Sequence, residues 1–283
     1  MPDRDACAGV LIPSRAKPRC AGLVPCGRRS ETMTTVQDIR RILASGQATI
    51  GSWLQLTSTD VAEIMGRAGY DWIAVDMEHG AFGRTGLTDI FRAIERGGAA
   101  PFARLPEAAK TPIKAALEAG AQGLIFPMIE SRAQLDRAVN WALYPEAGGE
   151  RGVGYCRANA FGRDFTPYYT RARDVFLVAQ IEHVRALNHL DDILMHPRLD
   201  AVMVGPYDLS CSMGITARFD HPDFLAAIAR IEAACARHGV HMGLHMVEPN
   251  PALLNLHIAQ GYRFIAYGID ASFLWSSAER PRL

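Results

Sequence analysis

The feature that most constrains the fold is a regular alternation of short apolar runs with amphipathic segments of about ten residues. Parallel strands require such an alternation, because a crossover, usually a helix, must separate each strand from the next. The apolar runs are "ATIGSWLQL" (48–56), "DWIAVDME" (71–78), "PFARLP" (101–106), "GLIFPMI" (123–129), "VFLVAQIEH" (175–183), "LDAVMVGPYDLS" (199–210), "HMGLHMV" (241–247) and "YRFIAYGID" (262–270). Eight strand–helix units in about 230 residues predict a TIM (β/α)8 barrel of the α/β class, rather than an open doubly wound sheet.

The segments between the runs have the features of helices. "TDVAEIMGRAG" begins with a Thr–Asp pair that suits an N-cap, and it stops at Gly69. Similar patterns are "TPIKAALEAG", "SRAQLDRAVNWAL" and "PDFLAAIARIEAACARHG". No GxGxxG motif follows the first strand, which disfavours a dinucleotide-binding domain. We predict a single barrel domain over residues 33–283, with a first helix that ends at Gly46.

Two segments do not fit the alternation. Residues 1–32 mix Pro, Arg, Gly and Cys without a helical or strand period, and they lack the continuous apolar stretch of a secretory signal. We interpret them as disordered, or as sequence upstream of the natural start. Residues 145–172 are rich in Gly, Arg and aromatic residues and are too long for a plain connection. Their length suggests a functional loop over one end of the barrel.

Composition narrows the classes of function. The chain of 283 residues has a formal net charge of zero, so nothing indicates nucleic acid or an anionic membrane surface as a partner. No apolar stretch approaches the roughly 20 residues that a transmembrane helix needs. The six Cys residues lack metal-ligand spacing, including the three within the first 32 residues, and reduced thiols are expected. We predict a cytoplasmic protein that acts on small molecules.

Polar side chains stand where the predicted strands end. They are Asp76, Glu78 and His79 in the second unit, Arg104 in the third, Gln180, Glu182 and His183 in the fifth, Asp208 in the sixth and His245 in the seventh. Each alone has an ordinary structural explanation, such as a helix cap or an ion pair. Asp270 in the eighth unit fits such a role, and we leave it out of the site. The carboxyl ends of barrel strands share one face, so the convergence predicts an active site there.

These residue types suit the chemistry of an enolate. Glu182 and Asp208 offer hard oxygen ligands, which favour Mg²⁺ or Mn²⁺, with Co²⁺ as a further candidate, over a His-rich zinc site. A cation held there can chelate the keto and carboxylate oxygens of a 2-oxo acid as a Lewis acid. Arg104 can offset the charge of the developing enolate, and His79 is a candidate general base.

Lysine usage disfavours the other route to aldol chemistry. A Schiff-base aldolase needs a Lys that projects into the pocket from a strand. The chain has only Lys17, in the N-terminal segment, and Lys110 and Lys114, which follow the third strand. An imine mechanism is therefore not expected.

These motifs resemble the HpcH/HpaI aldolase family, the metal-dependent class II pyruvate aldolases. The matching stretches are "GYDWIAVDMEHG", "FARLPEAAKTPIKAALEAGAQGLIFPMI", "YPEAGGERGVG", "QIEHVRALNHLDDIL", "VMVGPYDLS" and "YGIDASFL". The resemblance implies a carbon–carbon lyase that cleaves 4-hydroxy-2-oxo acids reversibly to an aldehyde and pyruvate or a related 2-oxo acid. It also implies a homo-oligomer, often a hexamer.

The resemblance also implies a role for each matched residue. Glu182 and Asp208 match the metal ligands, and Arg104 matches the Arg that binds the keto or enolate oxygen. His79 matches the catalytic His, and Asp76 matches an acid that supports it. The other pocket residues that it implies are Gln180, a polar neighbour of the oxo acid, Tyr207, whose backbone region holds the substrate carboxylate, and Trp53, which lines the pocket.

Three positions have two interpretations each. Glu118 stands where the family often has an Asp that pairs with the catalytic His, in some members across a subunit boundary, and it is either that partner or a solvated helix residue. His245 stands where an apolar or small residue is expected, and it either tunes the aldehyde side of the pocket or packs in the barrel. Glu78 is either an acid beside the metal-bound waters or a structural acid.

Two other functions stay open on sequence alone. The same enolate site would also serve a Claisen-type condensation, including one that forms citrate. Residues 145–172 and His245 are where such a change would lie. A non-catalytic barrel is disfavoured. A site that had lost its activity should also have lost at least one of its main polar side chains, but the chain keeps all four: His79, Arg104, Glu182 and Asp208.

Overall fold

Eight parallel strands close into a barrel in chain order, which confirms the predicted TIM-barrel fold. The computed structural model describes residues 33–280, so the prediction of disorder for residues 1–32 lies outside the described residues. The strands are β1 (Thr49–Leu54), β2 (Trp72–Asp76), β3 (Ala100–Arg104), β4 (Gly123–Phe126), β5 (Phe176–Ile181), β6 (Ala201–Val204), β7 (His241–Met246) and β8 (Phe264–Ile269). Each lies within, or one residue outside, an apolar run of the sequence.

Helices surround the barrel and follow the strands. They are α1 (Val36–Ala44), α2 (Thr59–Arg67), α3 (Arg84–Gly97), α4 (Lys110–Ala119), α5 (Arg132–Ala142), α6 (Phe165–Arg171), α7 (Leu190–Leu194), α8 (Pro206–Ser212), α9 (Pro222–His238), α10 (Pro251–Ala259) and α11 (Asp270–Ala278). The cap expected at the Thr–Asp pair of α2 is wrong by one residue, because Ser58 accepts the backbone N–H of Val61. The predicted sixth strand, 199–210, is also wrong in part, since this run contains β6 and the first five residues of α8. Pro206 starts that helix, at a position where its missing N–H costs no hydrogen bond.

Aromatic rings fill the barrel interior. The rings of Trp72 and Phe264 are stacked with centroids 4.3 Å apart, and Phe102 and Phe176 each lie within 6.0 Å of Phe264. These four side chains have no exposed surface. Glycine makes room for them, since a Cβ on Gly123 of β4 would overlap the Phe102 ring. The interior is therefore packed rather than open, as is usual for this fold.

The amino-terminal end of the barrel is covered. Helix α1 packs three apolar side chains (Val36, Ile39 and Leu43) in the same buried cluster as the interior aromatic rings. Arg40 of α1 donates to both carboxylate oxygens of Asp200, just before β6, at 2.6 and 2.9 Å. It also donates to the backbone carbonyls of Asp174 and Val175, just before β5. This leaves the carboxyl end of the barrel for the polar residues.

Residues 145–172 also lie towards the amino-terminal end of the strands, because they connect the end of α5 to the start of β5. They form two 3-10 turns, Pro145–Ala147 and Arg157–Gly162, and helix α6. Arg157 donates to the backbone carbonyl of Ala119, at the end of α4, which fixes the segment to the barrel wall. This position corrects the interpretation that a change of reaction would lie in these residues, since the predicted site is at the opposite end.

The seam between β8 and β1 is closed by Asp270. Its two carboxylate oxygens accept the backbone N–H groups of Gln55 and Leu56 at 2.9 and 2.8 Å, just after β1. The side chain is 3% exposed and is the first residue of α11. It therefore has the structural role that was expected for it.

Two further sequence predictions concern membrane-spanning helices and the state of the cysteines. No helix within residues 33–280 is long and apolar enough to cross a membrane. Cys156, Cys211 and Cys235 are free thiols, as expected for reduced cysteines. The remaining cysteines lie outside the described residues.

Candidate active site

A buried ion pair forms the centre of the candidate site. The register of the sheet places Asp76, the last residue of β2, beside Arg104, the last residue of β3. Nε and Nη2 of Arg104 donate to the two Asp76 oxygens at 2.9 and 2.7 Å. Burial opposes ionisation of Asp76, but the hydrogen bonds and charge of Arg104 outweigh it and lower the pKa of the carboxyl. The pair is thus charged on both sides and fixed in orientation.

The same carboxylate orders the turn that carries His79. Asp76 Oδ1 accepts the backbone N–H groups of Glu78 and His79, both at 3.2 Å, and Oδ2 accepts Nε2 of Gln55 at 3.0 Å. His79 is exposed at the rim, and no hydrogen bond to its imidazole is found within residues 33–280. Asp76 therefore contacts His79 through the backbone rather than through the imidazole, and its support of a catalytic His stays a prediction.

A second carboxylate, Glu182, lies directly after β5 and is 1% exposed. Its Oε1 accepts the backbone N–H of Met128 at 2.7 Å, and its Oε2 accepts Nε2 of Gln180. Burial, together with the negative charges of Glu78 and Asp208, raises the pKa of Glu182 to about 7. The carboxylate is therefore costly to ionise without a nearby positive charge.

Glu78 and Asp208 complete an acidic cluster. Glu78 Oε2 lies 3.2 Å from Nη1 of Arg104, yet burial, with the charges of Asp76 and Asp208, raises its pKa. Asp208 is exposed in the first turn of α8. The charges of Glu78 and Asp208 both raise the pKa of Glu182, and the charge of Asp208 also raises that of Glu78, so the three carboxylates lie near one another with more negative charge than Arg104 neutralises.

The donor set fits a divalent cation. The three acidic side chains of the cluster offer only oxygen ligands, which suits Mg²⁺ or Mn²⁺. Gln180 is 3% exposed, and its Oε1 is buried with no hydrogen-bond partner within residues 33–280, so an acceptor is left without a donor. In that same part of the chain, no three His, Cys, Asp or Glu side chains form a group able to hold a metal by themselves. A cation held by Glu182 and Asp208 would thus take its other ligands from substrate and solvent.

The walls around Glu182 contain two features that the sequence did not reveal. A Cβ on Gly205 would overlap Oε2 of Glu182 and lie 3.1 Å from Nε2 of Gln180, so only glycine allows this approach. Met128 has a positive φ of 53°, which is uncommon for a residue with a side chain, and its N–H is directed to Glu182. Gln55, which orients Asp76, was also missed. Nothing in the local sequence marks these contacts, which depend on the closed barrel.

Trp53 of β1 and His245 of β7 lie next to Arg104 at the top of the barrel interior. The guanidinium of Arg104 lies 5.1 Å from the centre of the Trp53 ring, and the His245 ring is also 5.1 Å from it, edge to face. Nε2 of His245 is 3.3 Å from the backbone oxygen of Gly268. Burial and then the charge of Arg104 lower the pKa of His245 to about 3, so its imidazole is neutral.

Two predicted residues lie further from this centre. Glu118 accepts a hydrogen bond from Arg84 at 3.3 Å and lies 3.7 Å from Nζ of Lys114, and within residues 33–280 no contact joins it to His79. Its pairing with the catalytic His, across a subunit boundary in some family members, stays a prediction. Tyr207, in the first turn of α8, is 47% exposed and lies edge to face with Phe219. Its part in carboxylate binding also stays a prediction.

A TIM barrel with an acidic cluster and a buried Arg at its carboxyl end has the arrangement of an enzyme active site, and the comparisons give the class of enzyme. Residues 49–276 match the family model of the HpcH/HpaI aldolase/citrate lyases. The chain belongs to this family. It is an enzyme of the carbon–carbon lyase class, as predicted, and the alternative of a non-catalytic barrel is set aside.

Several relatives share most of their length with this chain. A hydroxypyruvate/pyruvate aldolase of Paraburkholderia phytofirmans is 36% identical over 79% of this chain and 88% of its own. A 2-keto-3-deoxy-L-rhamnonate aldolase of Escherichia coli is 36% identical over 85% of this chain and 90% of its own. The crystal structure of an HpcH/HpaI family protein from Burkholderia cenocepacia is 33% identical and has a TM-score of 0.80, over 85% of this chain and 95% of that one.

Proposed function

We propose that this enzyme is a divalent-metal-dependent aldolase that cleaves 4-hydroxy-2-oxo acids reversibly to an aldehyde and pyruvate or a related 2-oxo acid. The observation that carries the proposal is the pairing of an acidic cluster, Glu78, Glu182 and Asp208, with one fixed Arg at its edge. A bound cation would offset the excess negative charge, and the Arg supplies a donor for an oxyanion. Relatives named as aldolases of 2-oxo acids support the same reaction.

The metal would be held by Glu182 and Asp208, where it would supply Lewis-acid polarisation of the 2-oxo group. The chain's own residues provide the rest of the chemistry. Arg104 is fixed by two hydrogen bonds to Asp76, so its Nη1 can donate to the C2 oxygen without a loss of side-chain freedom. Burial strengthens that hydrogen bond as negative charge develops on the oxygen.

Proton transfer is assigned to His79. In the cleavage direction it takes the proton from the C4 hydroxyl, the C3–C4 bond breaks, and the electron pair of that bond moves into the enolate of the 2-oxo acid. The aldehyde leaves, and protonation at C3 gives the 2-oxo acid. The exposed position of His79 at the rim lets it exchange its proton with solvent between turnovers.

The test is aldol addition of pyruvate to a panel of aldehydes, first after treatment with EDTA and then with Mg²⁺, Mn²⁺ or Co²⁺ restored. We expect product only with a cation, and losses of at least about 100-fold in kcat/KM for His79→Ala and Arg104→Ala. His189→Ala and Arg92→Ala, at exposed positions, are the matched controls. Full activity without metal, or in either site variant, contradicts the proposal.

The Claisen-type alternative has no observation in its favour. A citrate synthase structure, SbnG, has a TM-score of 0.73 to this chain but is only 23% identical, so the likeness is one of fold. The predicted cytoplasmic location and homo-oligomeric state, often a hexamer in the family, stay predictions. We propose small-molecule 2-oxo acids and aldehydes as the partners of the enzyme.

A further inference from the structure

The carboxylate that fixes Arg104 has a second side-chain partner, Gln55. Oδ2 of Asp76 accepts Nε2 of Gln55 at 3.0 Å as well as Nη2 of Arg104 at 2.7 Å. Oδ1 accepts Nε of Arg104 and the backbone N–H groups of Glu78 and His79. The two hydrogen bonds of Arg104 fix the two charged side chains to each other. The other three hydrogen bonds fix that pair to the barrel.

The direction of the Gln55 amide follows from the charge of its partner. Burial opposes ionisation of Asp76, but its hydrogen bonds and the charge of Arg104 lower its pKa, so the carboxyl is ionised. An ionised carboxylate only accepts hydrogen bonds, so the NH₂ group of the amide faces it and the amide oxygen points away. Gln55 therefore acts as a donor to Asp76.

Gln55 is itself held by the seam between β8 and β1. It directly follows β1, and its backbone N–H donates to Oδ1 of Asp270 at 2.9 Å. Beside it, β8 has one more residue than β1 between their paired positions, and Gly268 in this bulge has a φ of 71°. Bulges of this kind redirect side chains next to active sites. The seam thus sets the position from which Gln55 reaches Asp76.

We propose that Gln55 is a positioning residue for the aldol reaction, whose amide holds Asp76 so that Arg104 is directed to the C2 oxygen of the substrate. The same contact steadies the turn that carries His79, since that turn hydrogen-bonds to Asp76. The inference rests on the proposed function and adds to it a link from the barrel seam to the reacting groups. Gln55 acts through Asp76 and takes no part in proton transfer.

The substitution Gln55→Glu tests this contact, because it changes the charge and keeps the shape. While it is protonated, the introduced carboxyl can donate to Oδ2 of Asp76 as the amide does. Once ionised, it repels Asp76 and displaces it. The charges nearby are Asp76 itself, Arg104 on the far side of Asp76, and Asp270 at the backbone of residue 55. The adjacent Asp76 should raise the pKa of the introduced carboxyl above its ordinary value of about 4.3.

The experiment measures kcat for aldol addition of pyruvate to one aldehyde from about pH 5 to about pH 8, with a saturating divalent cation. The kcat of Gln55→Glu, divided by that of the wild type, should fall at least about 10-fold as the pH rises across this range. Gln55→Met, which has no donor, should lose about 10- to 100-fold in kcat at every pH. Gln47→Glu, at an exposed position before β1, is the matched control and should keep the wild-type kcat.

Thermal unfolding at each pH shows how much of each variant is folded, so that kcat is counted per folded enzyme. A purely structural contact would change the unfolding temperature and leave the ratio for Gln55→Glu constant. Gln55→Met decides the matter if Gln55→Glu does not fold. A constant ratio, or a kcat of Gln55→Met within about twofold of the wild type, overturns the inference, while cation-dependent wild-type activity leaves the proposed function in place. Absence of aldol activity in the wild-type enzyme with every cation overturns both.

Discussion

At the scale of single residues, Glu182 is the side chain most sensitive to pH. Its folded-state pKa is about 7 against an ordinary value of 4.5, so between these values the folded chain binds a proton that the unfolded chain has released. In metal-free protein, the stability contributed by this group is present below about pH 4.5 and is lost as the pH rises through about 7. The free energy of unfolding should fall by up to about 3 kcal/mol over that range from this group alone.

Urea unfolding in the presence of EDTA, at a series of pH values, measures this dependence. Glu182→Gln removes the titration but keeps the shape, so its free energy of unfolding should fall less over the same range. A divalent cation should stabilise the wild-type protein more strongly at pH 8 than at pH 5.5, because it competes with the proton for the carboxylate. Identical pH profiles for the two proteins would refute the assignment of the raised pKa.

The buried ion pair between Arg104 and Asp76 should contribute to the free energy of unfolding. Both side chains are almost fully buried, so Arg104→Met leaves an unpaired charge on Asp76 and should lower the free energy of unfolding by about 3–5 kcal/mol. Adding Asp76→Asn removes that charge but keeps an acceptor for the backbone N–H groups of Glu78 and His79, and the double variant should regain much of the stability but none of the activity. A double variant as unstable as Arg104→Met in urea unfolding would contradict this account.

At the scale of elements, the junction of β6 and α8 fixes the geometry of the acidic cluster. Gly205 is the last residue before α8, and a Cβ there would lie 2.8 Å from Cβ of Glu182. Gly205→Ala should therefore displace Glu182 and lower the affinity for the divalent cation and kcat/KM by about 10-fold or more. Isothermal titration with Mn²⁺ and the aldol assay measure the two effects.

Gly86→Ala is the matched control for this substitution. Gly86 lies inside α3, and a Cβ there meets no atom within 4 Å. The control should leave cation binding unchanged and raise the free energy of unfolding by about 0.5–1 kcal/mol, since alanine favours the helix. Equal cation affinity in Gly205→Ala and Gly86→Ala would show that the close approach at Gly205 has no functional effect.

The strands could be predicted from the sequence, whereas several contacts between them could not. Eight apolar runs predicted eight strands, and the rule that barrel sites lie at the carboxyl ends of strands was enough to group Asp76, Arg104 and Glu182. The run 199–210 was read as one strand, because apolar periodicity alone does not separate a short strand from a helix start. The close approach of Gly205 and the contact of Gln55 with Asp76 depend on neighbours far away in the chain, so no local pattern reveals them.

At the scale of the whole molecule, the barrel has two unlike ends. Helix α1, Arg40 and residues 145–172 lie at the amino-terminal end, where apolar packing and ion pairs hold the strand starts together. The carboxyl end concentrates buried charge, including two carboxylates with a raised pKa, Glu78 and Glu182. Such a site lowers stability, and the packed aromatic interior between the two ends offsets that cost.

The aromatic interior can be tested through the fit between β3 and β4. A Cβ on Gly123 would overlap the Phe102 ring, so Gly123→Ala should lower the free energy of unfolding by about 1–3 kcal/mol through overpacking. Phe102→Leu removes two of the three overlapping ring atoms, Cε2 and Cζ, but leaves a cavity, and it should be destabilising by itself. In the double variant the added methyl group partly fills that space.

The double variant should therefore be less destabilised than the sum of the two single variants, by about 1 kcal/mol or more, in urea unfolding at a fixed cation concentration. Gly86→Ala combined with Phe102→Leu is the reference pair, and its effects should add because α3 carries Gly86 outside the barrel. Coupling below about 0.5 kcal/mol at Gly123 would mean that the strands shift to accept the methyl group. The interior would then be adaptable, and the precise placement of Arg104 at the end of β3 would depend on the Asp76 ion pair rather than on the packing beneath it.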